Sequence, residues 1–63
     1  MNEVSRLYQQ MLITLEKGLD DLDKFNDGNK SAGTRIRKTM QNVKNLAQQV
    51  RVEVQEQKNA VAA

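Results

Sequence analysis

The chain has 63 residues, 38% hydrophobic and 29% charged, and its ten Lys and Arg against eight Asp and Glu give a net charge of +2. It contains no Cys, His, Pro or Trp, which excludes a disulfide framework, a thiolate or imidazole metal site and the commonest general base. A chain this short buries only about 60% of its unfolded surface, so its expected stability rests on helix packing completed by self-association.

The first apolar residues fall at Val4, Leu7, Tyr8, Met11, Leu12, Leu15, Leu19 and Leu22, in the three- and four-residue steps of one helix face. This predicts a helix over about residues 2–26. Gly18 lies within the stripe. It weakens the helix by up to about 1 kcal/mol relative to Ala and reads as a point of close helix–helix approach. The opening residues MNEVSRLYQQ lack the basic region and apolar core of a signal peptide. No stretch approaches the roughly 20 apolar residues that span a bilayer. A soluble, cytoplasmic protein without a membrane segment is expected.

Asn26-Asp27-Gly28-Asn29-Lys30-Ser31 is the chain's turn signal, and a turn is predicted at about residues 27–31. Gly28 suits the residue that ends the first helix in a left-handed conformation. Ser31 or Thr34 is the expected cap of the second helix, with Gly33 leaving its first turn open. That helix is predicted over about residues 32–59, with fraying at residues 60–63. Its seam, Ile36, Met40, Val43, Ala47, Val50 and Val54, alternates steps of four and three like a coiled coil.

The expected fold class is therefore all-α: one domain, an antiparallel two-helix hairpin, coiled-coil-like, held by Leu15, Leu22, Met40, Val43, Ala47 and Val50. The flanking Leu7, Leu12, Leu19 and Leu46 would stay partly wet in a monomer. Pairing two hairpins into a four-helix bundle buries them, so a homodimer is expected.

Catalysis fits poorly. Asp20, Asp21, Asp23 and Asp27 fan around a helix without converging, and the twelve-residue calcium loop with its terminal Glu is missing. Gly28 to Thr34 lies at a helix start that attracts anions, but its spacing is not that of a nucleotide-binding loop and no strand precedes it. A DNA or RNA phosphate can dock there; no cofactor, metal or small-molecule substrate is expected.

Charge is the informative feature. Residues 1–27 carry six acids against three cations, whereas residues 28–52 carry Lys30, Arg35, Arg37, Lys38, Lys44 and Arg51 with no acid. Arg37, Lys44 and Arg51 are seven apart and stack along one side of a helix at intervals of about 10.5 Å. Such an array can follow a phosphodiester backbone with steep salt dependence. No aromatics interleave with the cations, so base stacking and sequence specificity are not expected. The pattern equally suits charge pairing across the hairpin, with Asp20, Asp23 or Asp27 neutralising Arg35 or Lys38.

Residues 28–59 resemble the N-terminal helical region of the bacterial histone H1-like (Hc1) family. The resemblance rests on Gly28-Asn29-Lys30-Ser31-Ala32-Gly33-Thr34-Arg35-Ile36-Arg37-Lys38, set against that family's Gly-Asn-Lys, small residue, Ala-Gly-Thr-Arg, variable residue, Arg-Lys core. The first 27 residues are similar only in general character. The resemblance implies non-specific DNA binding that compacts a nucleoid. Many members continue into a Lys- and Ala-rich tail that supplies most of the charge. Here about six cations per subunit, twelve per dimer, would have to act, with modest affinity. The competing expectation is a structural or protein-interaction module without nucleic-acid binding, whose basic face meets an acidic protein.

Overall fold

The structure, a computed structural model, describes the backbone of residues 2–62 and the side-chain surroundings of residues 2–60. It is all-α, with no strand among the described residues: α1 spans Glu3–Lys17, α2 Leu19–Asn26 and α3 Lys30–Ala62. The expected fraying of residues 60–63 is corrected in part: the backbone of residues 60–62 continues α3, and Ala63 lies outside the described residues.

The first predicted helix is present but bent at Gly18, which separates α1 from α2 while keeping a right-handed helical backbone of φ −83° and ψ −8°. Asn2 starts α1, its side chain accepting a 2.8 Å bond from the Ser5 N–H.

Gly28 ends α2 as its residue type predicts, at φ +99°. The Asn29 N–H reaches the Lys24 carbonyl at 2.9 Å and the Gly28 N–H reaches that of Phe25 at 3.0 Å. These two bonds satisfy carbonyls that a helix end otherwise leaves free. The expected capping by Ser31 or Thr34 is corrected here. Because the turn closes one residue after Gly28, Asn29 is already the capping residue, and its Oδ1 accepts from the Ala32 N–H at 3.2 Å. Accordingly α3 begins at Lys30 and not at residue 32.

After the turn α3 folds back along α2 and α1, so that Phe25 lies beside Gly33, Gly18 beside Thr39 and Leu7 beside Val52. Its inward side carries Ala32, Ile36, Thr39, Val43, Leu46, Val50 and Glu53, all buried or half-buried. The predicted seam is thus shifted in part. Ile36, Val43, Ala47 and Val50 stay half-buried, Thr39 and Leu46 turn inward, and Met40 and Val54 are exposed. The facing side is Val4, Leu7, Met11, Thr14, Gly18 and Asp21. Leu7 is buried at 3% exposure, while Leu15 and Leu22, expected to hold the helices together, are 41% and 45% exposed. Small residues make the shift possible: Gly18 leaves room for the Thr39 methyl, and Phe25 covers Gly33.

The result is a single layer of helices, 53 by 18 by 11 Å. One face is apolar and open: Tyr8, Leu12, Leu15, Leu19, Leu22, Met40 and Val54 are each 39–59% exposed. At its turn end, Leu15, Leu19, Leu22, Ile36 and Met40 line an apolar hollow of about 170 Å³ above Gly18 and Thr39. No helix among the described residues is long and apolar enough to cross a membrane.

Candidate nucleic-acid interface

All six cations expected to form the site lie on α3 and are exposed. The fold separates them into different settings. Arg35 is committed to the fold: its Nε donates to Asp21 Oδ1 at 2.7 Å, tying α3 to α2. Pairing across the helices was expected from Asp20, Asp23 or Asp27. Asp21 makes it because it is the acid on the inward-facing side of α2, only 21% exposed. Asp20 instead binds Lys24 one turn along α2, at 3.0 Å.

Arg37, Lys44 and Arg51 each follow a seam residue: Ile36, Val43 and Val50. A straight helix would drift by about 20° per heptad. The seam nevertheless stays turned toward α1 and α2 over successive heptads, so the column beside it keeps its bearing. Lys30, the first residue of α3, is in the same seven-residue phase. Lys38 lies about 100° further round the helix. Among the described residues the ion pairs are Arg6–Glu3, Lys24–Asp20 and Arg35–Asp21, so Lys30, Arg37, Lys38, Lys44 and Arg51 meet no carboxylate.

The apolar column of α3 made by exposed Met40, half-buried Ala47 and exposed Val54 interleaves with the basic one. Met40 stands three residues from Arg37 and four from Lys44, and Ala47 does the same between Lys44 and Arg51. Those are the spacings of surface neighbours on a helix. The basic column therefore borders the open apolar face. Along α1, α2 and the turn that follows, Glu16, Asp20, Asp23 and Asp27 follow one another by four, three and four residues, all exposed.

No group of His, Cys, Asp or Glu among the described residues could hold a metal ion. At the start of α3 the Ala32 N–H is already taken by Asn29, so a phosphate would meet fewer free donors there than the sequence suggests.

The chain matches the family model described as histone H1-like protein Hc1 over residues 5–60. The match takes in α1 from Ser5 onward and α2, where the residue-by-residue resemblance is only general. No curated protein and no solved structure matches the chain. With most of its length covered by that model, the chain belongs to the histone H1-like Hc1 family.

Proposed function

We propose that this chain is a non-specific DNA-binding architectural protein of the nucleoid, contacting phosphates through exposed cations of α3: of the six expected there, Lys30, Arg37, Lys38, Lys44 and Arg51 meet no carboxylate, while Arg35 is held by Asp21. Family membership supports DNA as the partner. The observation that carries the reading is the α3 column of exposed cations free of carboxylates, set against the acids along α1 and α2. Electrostatic attachment to a phosphate backbone needs no base contact and no ordered pocket.

The working unit in this reading is an antiparallel helical hairpin paired with a second copy into a four-helix bundle. The chain exposes 5089 Å², against about 4,100 Å² for a compact chain of 7.2 kDa. The excess includes the open apolar face. Its apolar side chains recur at heptad spacing, the pattern that meshes with another helix pair of the same kind. A second copy supplies such a pair, related by a two-fold axis.

Binding to random-sequence duplex DNA across a salt series tests the function, with an Arg37→Glu/Lys44→Glu variant alongside. The expected result is binding that falls steeply with salt and is lost on charge reversal. Absence of binding at low salt, or indifference to the reversal, overturns it in favour of a protein-interaction module. Sedimentation that finds a stable monomer overturns the bundle separately.

A further inference from the structure

We propose that the phosphate-contacting groups are a single five-rung column on α3, namely Lys30, Arg37, Lys44, Arg51 and Lys58, with Lys58 a binding residue, Arg35 a fold residue and Lys38, about 100° round the helix, outside the column. The inference rests on the DNA-binding reading above and narrows the residues that perform it.

The unbroken run of α3 through Ala62 carries the seven-residue phase past Arg51 to Lys58. By composition Lys58 is hidden, because Glu53 and Glu56 outnumber it locally. Helical geometry separates them. Side chains meet at spacings of three and four, whereas Lys58 is five residues from Glu53 and two from Glu56. Glu53 is turned inward and accepts a 3.4 Å bond from the Gln57 amide. Lys58 itself is exposed, and the exposed Val54 lies between it and Arg51 as Met40 lies between Arg37 and Lys44. Arg35 is held by Asp21 at 2.7 Å on the far flank of the seam, where it neutralises an acid instead of a phosphate.

From Lys30 to Lys58 the column is about 42 Å long, from 1.5 Å per residue, or about 12 base pairs at 3.4 Å per step. Five phosphate contacts correspond to a log–log salt slope of about −4.5 per chain.

Fluorescence anisotropy with a random-sequence duplex, measured over a salt series, separates this arrangement from attraction by net charge. Four single variants are compared: Lys44→Gln, Lys58→Gln, Lys58→Arg and Arg35→Gln, each checked for helicity by circular dichroism. Lys44→Gln and Lys58→Gln are expected to make the slope shallower by about 0.9 each. Lys58→Arg is expected to keep the slope of the unmodified protein, and Arg35→Gln to leave it unchanged. An unchanged slope for Lys58→Gln, or an Arg35→Gln effect as large as that of Lys44→Gln, overturns the column while leaving DNA binding in place. Failure of the unmodified protein to bind overturns the functional reading itself.

Discussion

Gly33→Ala probes the packing of the turn against α3, because it sets two effects of similar size against each other. A Cβ at Gly33 would stand 2.9 Å from Phe25 Cε1 and 3.0 Å from Cδ1, so the ring must move. Phe25 is 50% exposed; since full burial of such a side chain is worth about 1.5–3 kcal/mol, displacing the covered half costs about 1 kcal/mol. Replacing a helical Gly by Ala gains about 0.8–1 kcal/mol. In the native background the sum is expected to lie within about 0.5 kcal/mol of zero. In a Phe25→Ala background only the propensity gain remains, and Gly33→Ala stabilises by about 1 kcal/mol. Urea unfolding of the four proteins of this cycle, followed by circular dichroism at one protein concentration, measures the coupling. The same Gly33→Ala effect in both backgrounds, within about 0.3 kcal/mol, would refute the ring contact.

Thermal melts check three further substitutions. Gly28→Ala is expected to cost about 1–2 kcal/mol, because the φ of +99° that closes the Lys24 and Phe25 carbonyl bonds strains any side chain; Gly28→Asn should cost less. Asn29→Ala removes the side-chain acceptor at the start of α3 and is expected to cost about 1 kcal/mol, with Asn29→Ser close to neutral. Gly18→Ala goes the other way. Its backbone suits any residue and the added methyl meets Thr39 Cγ2 at an ordinary 3.5 Å, so a gain of about 0.5–1 kcal/mol is expected.

The features most legible in the sequence were local ones. Gly28 announces the end of the first helix through its own conformational freedom, and the hydrophobic steps announce both helices. The cap was misassigned because the helix starts two residues earlier than the apolar pattern suggests. Gly18 was read as a point of close helix–helix approach, and Thr39 does lie against it, although at 3.5 Å from a Cβ built there the approach still accepts a methyl. At the candidate site, heptad spacing revealed Arg37, Lys44 and Arg51. The commitment of Arg35 to Asp21, fourteen residues away, depends on how α3 folds back, which spacing along one helix does not encode. Lys58, which the proposed column adds, did not stand out because acids near it in sequence were counted as acids near it in space.

The shifted seam has a single physical origin. The apolar stripe of α3 is three columns wide: Ile36, Val43 and Val50 in the middle, with Thr39 and Leu46 on one side and Met40, Ala47 and Val54 on the other. One neighbouring helix covers only two columns. Sequence favours the more hydrophobic side, but packing is decided by what stands opposite, and Gly18 accepts Thr39. Met40 and Val54 are then left exposed, bordered by the basic column, whose aliphatic stems can cover apolar surface while their charges stay in water. In the proposed bundle a second copy covers those side chains, and the cations fall at the edge of the contact, still open to phosphate. Self-association and DNA attachment would then use adjoining columns of one helix and would not compete for the same side chains.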